Sequence, residues 1–453
     1  MTRKRVVHHP GAAWVAALAG AWLVAAACRT MQGPVASGVA PALAAPVEAA
    51  VPEPALRVGV RVEVEGVSVS AASGVVVRAR VPGETPSLVR TLPRATFRPG
   101  GAGRLRLVET GDLLELATAS AAGTDELLQA DATAYRGILE VRPAQPNLLT
   151  VVNVVSLEDY LRGVVPNELS PQAFPQIEAL KAQAVAARSY ALAHLRDYAS
   201  KGFDVCATPA CQVYRGQASE HPLTDRAVRE TAGVIASWRG RPINAYYTST
   251  CGGHTEGGGA IFEDEAPYLK GVACPFEGSS RHRVLAAAEP RGDIPGGADT
   301  AHAPALPEAP GVVDGSEAGS QEYGWEVRLT PDQVARAVER YGSVGRVLDI
   351  VPRRLGVSGR VVELAVQGSD GELELRGLKV RWGLGLRENL FVVDRERGKG
   401  GDVEHFVITG KGWGHGVGLC QVGAFGMAQD GSTFEEILRH YYSGVRVGAR
   451  PLL

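Results

Sequence analysis

The sequence has no surplus of positive charge. Its 453 residues carry 47 Lys+Arg against 49 Asp+Glu, a formal net charge of -2. A protein held on nucleic acid by phosphate contacts would show a basic excess on at least one domain, so nucleic acid is excluded as a partner. Beyond residue 28 no stretch is apolar enough to cross a bilayer as a helix, which takes about 20 such residues. No self-similarity at a period of about 20–50 residues is present, which excludes solenoids and propellers. With hydrophobic residues at 45% and charged residues at only 21%, wholesale disorder is excluded as well. Abundant instead are Gly (55) and Pro (28), which favour short elements, many turns and long connections. The length suggests two or three domains and leaves ample chain for a core.

The first residues carry a targeting signal. Arg3, Lys4 and Arg5 precede an uncharged, mostly apolar run over residues 11–27 that ends at Cys28. A basic head followed by a short apolar segment and small residues describes a secretory signal. Ala25-Ala26-Ala27-Cys28 has the form of a lipobox, in which Cys28 becomes the lipidated first residue of the mature chain. Residues 1–28 are therefore expected to direct export, with a lipid anchor in the periplasm or cell envelope; ordinary cleavage in the alanine run and an uncleaved anchor are the alternatives. Removal of residues 1–27 takes away three basic residues and no acidic one, so the mature chain is more acidic still. Residues 29–55, rich in Ala, Pro and Val, have linker composition.

Alternation then begins. Leu56, Val58, Val60, Val62 and Val64, later Val75-Val76-Val77 and Leu105, Leu107, Leu114 and Leu116, read as short antiparallel strands. Tyr135-Arg136-Gly137 opens a further strand, and residues 148–155 form an apolar run suited to a strand buried on both faces. One long helix follows, with start signals at Ser170-Pro171 and Phe174-Pro175. Ile177, Leu180, Ala184, Ala187, Ala191 and Leu195 form its apolar stripe. A second helix is expected after Thr330-Pro331, where Thr330 and Gln333 fit a capping box, and a third from Ser432 or Thr433 to Tyr442. Residues 277–320 lose periodicity and read as a surface insertion. The expected fold is α+β, β-rich, with one long buried helix and a cleft. Its N-terminal β-rich part spans residues 56–145 and its core residues 146–453.

Four clusters hold chemistry. Glu168 sits in a short turn at a strand-to-helix junction, where a carboxylate projecting into a cleft would have its pKa raised toward general-acid range. Alone, such a Glu reads more readily as a cap or surface residue, and Glu158 and Asp159 read as solvated or structural. Arg188 lies among alanines on the long helix, where burial would require a partner, most simply a carboxylate; a solvated helix face is the other reading. Beyond Cys28 the cysteines are Cys206, Cys211, Cys251, Cys274 and Cys420. In an oxidising compartment four can pair. The expected pairs are Cys206 with Cys211 and Cys251 with Cys274, leaving one thiol. Zinc and free thiols are the alternatives, with no other cofactor expected, although His221 and His254 lack convincing ligand spacing. The last cluster is the Gly-alternating segment 410–424, where the backbone can run close to a ligand or another strand and His415 stands among glycines. No Gly-Lys-Ser/Thr phosphate loop is formed there.

Together these segments resemble the SpoIID/LytB family, the stage II sporulation protein D and amidase-enhancer group. The resemblance is carried in order by 155–168, the 181–190 helix, Cys211-Gln212-Val213-Tyr214, the turn from Ser249 to Gly252-Gly253, and Gly412-Trp413-Gly414-His415-Gly416-Val417-Gly418. It covers residues 56–453, interrupted by the insertion. Two positions depart from the pattern: Ala210 stands where many members have His before the Cys, and Cys420 where Ser usually precedes Gln421.

The resemblance implies action on peptidoglycan, as a lytic transglycosylase cutting glycan strands stripped of their peptides. It assigns Glu168 as the catalytic glutamate, and Arg188, Tyr190, Gln212, Tyr214, Ser249, His415 and Gln421 as substrate-binding residues. Glu168 would act as acid and then base, and aromatic faces such as Tyr214 and Tyr247 would bind sugar rings. A non-catalytic glycan-binding module that stimulates a cell-wall amidase is the alternative the enhancer branch implies. A Cys hydrolase using Cys420 with His415 is the remaining one.

Overall fold

A computed structural model describes residues 53–81, 88–145, 147–262, 264–278 and 324–449. The secretory segment with Cys28, most of the linker and nearly all of the insertion lie outside the described residues. The described residues all fall in a single compact unit, Val51–Leu453. The fold is α+β and strand-rich. No helix among the described residues is long and apolar enough to cross a membrane.

The alternating N-terminal segments build an 11-stranded sheet. Ala55–Val64 pairs antiparallel with Leu149–Ser156, which pairs in turn with Ile138–Pro143. Sheet order then continues through Leu116–Ala121, Val67–Arg80 and Leu88–Gly101. Residues on one face of each strand, Leu56 and Val58 on the first and Val67, Val69, Val75 and Val77 on another, are buried in one core, as the period of two requires. Leu149–Ser156 is buried on both faces: Val151 and Val155 join the main core, and Val152 packs with Phe203 on the other side. The strand lies between Ala55–Val64 and Ile138–Pro143, so the expected boundary at residues 145/146 falls inside one continuous sheet.

The site grows out of this strand's end. Ser156 caps the helix Leu157–Arg162 by accepting the Asp159 N–H, and a one-turn helix, Val165–Glu168, follows at once. At Gly163 a Cβ would stand 2.5 Å from the Tyr214 ring, so only glycine admits this approach. The long helix is Ile177–Ala193. It starts later than the Ser170-Pro171 signal, with residues 171–173 a turn before it. It is buried well beyond the expected stripe: Ala179, Ala182, Gln183, Val185, Ala186, Arg188 and Ser189 are enclosed too. Leu195, expected on the stripe, is exposed beyond the helix end. Four elements surround the helix, Pro222–Glu230, Val234–Trp238, Gln421–Gln429 and Phe434–Tyr441, and the small alanines allow each to approach closely. Thr433 and Glu436 form a capping box on the last of these.

Residues 324–411 have a hydrophobic cluster of their own, with Trp325, Val327, Ile350, Leu364, Phe406 and Ile408 in it. It joins two three-stranded sheets and the helix Pro331–Val338, whose Thr330–Gln333 capping box is formed. Strand alternation looks the same in either core, so the sequence pattern did not separate this region from the rest. From its last strand, Val403–Lys411, the glycine-rich loop returns to the core, where Leu419–Cys420 pairs in parallel with Tyr247–Thr248. Gly418 has φ 74°, and a Cβ there would lie 2.0 Å from the Tyr246 carbonyl oxygen.

Candidate active site

Glu168 is half-buried at the end of its one-turn helix. Its carboxylate accepts the Val213 backbone N–H at 2.7 Å and a hydrogen bond from the Tyr247 hydroxyl. These bonds favour the charged form, yet burial outweighs them and pushes the pKa up to about 7. Tyr160, Tyr190 and Tyr247 lie close enough to feel its charge. A carboxyl group poised near neutrality, with partial solvent access, can both give and take a proton.

The hydrogen bonds behind it run in one direction. Tyr160 Oη donates to Gln212 Oε1 at 3.2 Å, and Gln212 Nε2 donates to Tyr247 Oη at 3.1 Å and to the Ala187 carbonyl at 3.3 Å. With its oxygen thus occupied as acceptor, Tyr247 turns its own proton to Glu168. Fully buried Gln212 is a positioning residue that ties the long helix to the strand carrying Tyr247. The Cys206–Cys211 disulfide, with Cα atoms 5.5 Å apart, fixes the segment from which Gln212 and Val213 project.

His415 reaches the same group from the glycine-rich loop. Its Nδ1 accepts the Val417 N–H at 3.1 Å, and it is hydrogen-bonded to the Tyr247 backbone. Burial, reinforced by the charges of Arg381 and Arg360, holds its pKa down at about 3, so the ring is neutral at ordinary pH. It positions Tyr247 and carries no charge. Tyr190 is half-buried, 4.1 Å from the His194 ring between centroids. Gln421 Nε2 donates to buried Gln183 Oε1 at 3.2 Å, and Ser249 is exposed on the turn beside Cys420.

Comparison with known proteins shows which family the chain resembles. Residues 145–238, which hold Glu168, Gln212 and the long helix, match the model of the stage II sporulation protein family. Residues 310–418 match a domain of unknown function (DUF8618). The chain is 31% identical to stage II sporulation protein D of Bacillus subtilis, over 65% of this chain and 75% of that one. An uncharacterized protein of Brachyspira hyodysenteriae is 33% identical over 69% of this chain and 72% of its own length. The amidase enhancer of Bacillus subtilis is 28% identical over 63% of this chain but only 39% of its own. This chain belongs to the SpoIID/LytB family.

Several residues of the SpoIID/LytB motifs sit elsewhere than expected. Arg188 is only 1% exposed and does not face the Glu168 carboxylate: its Nε and an Nη donate to Glu158 at 2.8 and 2.5 Å, and it caps the Val234 carbonyl at 3.0 Å. The carboxylate that its burial demanded is thus Glu158. Tyr214 is also buried. Its hydroxyl donates to Asn153 Oδ1 at 2.8 Å and its ring lies 5.0 Å from that of Tyr160, which leaves no free face for a sugar.

The expected Cys251–Cys274 disulfide is not formed. Both thiols are free and buried, together with Cys420, so three thiols remain in place of one. Glu277, expected to open the surface insertion, is 3% exposed and belongs to the core beside them. A Cys420–His415 dyad is contradicted as well: Cys420 is fully buried, its pKa is pushed well above the usual thiol value by that burial, and its sulfur faces Glu277.

Two contributors were not singled out in the sequence. The Val213 N–H is a backbone group with no sequence signature. Trp413, within the Gly412–Gly418 motif, is 42% exposed, with the Arg387 guanidinium 4.4 Å from its ring.

Proposed function

We propose that this chain is a peptidoglycan lytic transglycosylase that cleaves peptide-free glycan strands, with Glu168 as the group that gives and then takes the proton. Family membership implies a cell-wall-related function. The observation that carries the finer reading is the half-buried Glu168 carboxyl group, raised to near neutrality and held by the Val213 N–H and the Tyr247 hydroxyl. An ordinary glycosidase needs two carboxylates. A single group suffices when the nucleophile belongs to the substrate. Protonated Glu168 donates to the oxygen linking N-acetylmuramic acid to N-acetylglucosamine, the bond to the muramic anomeric carbon breaks, and the muramic C6 hydroxyl closes on that carbon. The hydroxyl proton passes to Glu168, which regenerates the acid and releases a 1,6-anhydro sugar. Exposed Trp413 is the aromatic face available for stacking a sugar ring.

Mass spectrometry of the products from denuded and peptide-bearing glycan tests this reading. Anhydro ends from denuded strands support it. Intact strands, with stimulation of an added N-acetylmuramoyl-L-alanine amidase, would replace it by the non-catalytic reading that the amidase-enhancer relative favours.

Because the cycle begins from the acid form, kcat/KM should be level at acid pH and fall as pH rises through about 7, where Glu168 loses its proton. His415, neutral across that range, should add no second ionisation near neutrality. A profile that rises through pH 7 would contradict the order of proton transfers.

We place the protein outside the cytoplasmic membrane, lipid-anchored through Cys28. Cys28→Ser should move it from the membrane to the soluble fraction. Identical fractionation of mutant and wild type would remove the anchor from the proposal.

A further inference from the structure

The three free thiols are not scattered. Cys251, Cys274 and Cys420 come from a turn, from the segment entering the short helix Pro275–Gly278, and from the end of the glycine-rich loop. Each offers a sulfur to one buried point, where a Glu277 oxygen joins them, and all four donor atoms lie within 4.8 Å of one another. A tetrahedron of zinc–sulfur bonds of about 2.3 Å has edges of about 3.8 Å, so a small inward shift closes the set around one ion.

The surroundings favour a cation. Glu277 is buried and, among the described residues, forms no ion pair. Its oxygens accept the N–H groups of Cys251 at 2.8 Å and Gly252 at 2.9 Å, and lie within 2.8 and 3.3 Å of the Cys251 and Cys420 sulfurs. The nearby cation, Arg360, donates to the Cys251 carbonyl and is matched by buried Glu388 at 3.2 Å. A buried carboxylate lacking a counter-charge is costly unless a cation pairs with it or binds it.

The groups beyond the donors orient them. The Cys420 sulfur accepts the Gly423 N–H at 3.3 Å, at the start of the nine-residue helix Gln421–Gln429, and Cys274 Sγ lies 3.1 Å from Tyr441 Oη. A Cβ at Gly423 would come within 2.3 Å of the Cys274 sulfur. Such second contacts hold sulfur ligands in direction.

We propose that Cys251, Cys274, Cys420 and Glu277 form a structural zinc site. Three soft thiolates with one carboxylate, in a closed buried tetrahedron, suit Zn²⁺ over the hard oxygen-preferring cations. The ion would join three segments far apart in sequence. Cys420 pairs with Thr248, and Tyr247 is the next residue along that strand, so the site would brace the strand that carries the Tyr247 hydroxyl. The proposal does not depend on the transglycosylase reading.

Metal analysis of the full-length chain, purified in detergent and reductant without chelators, should find one zinc per chain. A mercurial that blocks thiols should release it. Exchange to Co²⁺ should give thiolate-to-cobalt absorption in the near ultraviolet with tetrahedral visible bands, a readout on the wild type that needs no variant to fold. Cys274→Ser combined with Glu277→Gln should reduce the metal from one per chain to none, while Cys206→Ser combined with Cys211→Ser should leave it unchanged. Metal-free protein with three reduced thiols would overturn the proposal, as would a disulfide among Cys251, Cys274 and Cys420 in unreduced peptides. So would metal that departs with the Cys206/Cys211 variant instead.

Discussion

Glu168→Gln should yield no 1,6-anhydro product from denuded glycan. The substitution keeps the size of the side chain and its acceptor oxygen for the Val213 N–H, but removes the proton that the scissile oxygen must receive. Losing a general acid/base costs about 10²–10⁴ in rate, and here one group serves both half-reactions, so the upper part of that range is expected. Strand binding, measured by pelleting with denuded glycan, should persist. Folding should not suffer either. Burial raises the carboxyl pKa from 4.5 to about 7 in the folded chain, so the native state holds this proton more tightly than the unfolded one. The group therefore weakens the fold progressively as pH rises from about 4.5 to about 7, and that cost is absent below 4.5. The variant should accordingly gain in Tm over wild type at pH 8 relative to pH 4. Undiminished cleavage by Glu168→Gln would end the assignment, whereas undiminished amidase stimulation alone would favour the enhancer reading.

Arg188→Ala should produce the largest loss of stability among the motif residues. Its guanidinium is buried, forks onto Glu158 and caps the carbonyl of Val234, with Thr231 and Val228 also in reach. Removing one partner of a buried pair costs about 3–5 kcal/mol, because the groups left behind lose their compensation. Arg188→Lys should recover only part of this, since an ammonium cannot reproduce the two-pronged contact. Thermal unfolding measures the first effect. Kinetics well below the lowered Tm then separate two roles: a positioning side chain leaves KM for glycan near the wild-type value, while a substrate contact raises KM with Tm little changed. The second outcome would return Arg188 to the substrate-binding set.

Arg188 also shows how far local reasoning reaches. An arginine among alanines at helical spacing is either buried with a partner, most simply a carboxylate, or on a solvated face, and the sequence did not choose between the two. Nor did it show which carboxylate answers. Glu158 lies 30 positions away, on the helix Leu157–Arg162, and only the packing of that helix against Ile177–Ala193 brings the two together. Tyr214 is the converse case. A tyrosine in a motif reads as a sugar platform until the turn of Gly163 against its ring encloses it.

What the sequence by itself determined is what repeats locally. Alternation set the strands, because successive side chains on a pleated chain face opposite sides. Thr330 with Gln333 and Thr433 with Glu436 set two helix starts, because each cap closes within four residues. The ordered motifs were legible for the same reason, whereas Glu168, expected at a strand-to-helix junction, ends a one-turn helix that follows the helix Leu157–Arg162. Tertiary structure alone decided the partners. Cys206 and Cys211 form a disulfide across a short loop whose spacing was equally compatible with two metal ligands. Cys251 and Cys274 stay reduced beside Cys420, which comes from a segment more than a hundred residues further along the chain. Glu277 has no periodic pattern around it to mark it as buried, yet it lies at the centre of that cluster. The physical reason is the same in each case. A local pattern fixes dihedral angles and the face a side chain presents, whereas burial, a raised pKa and a shared ligand point depend on groups that arrive from distant parts of the chain.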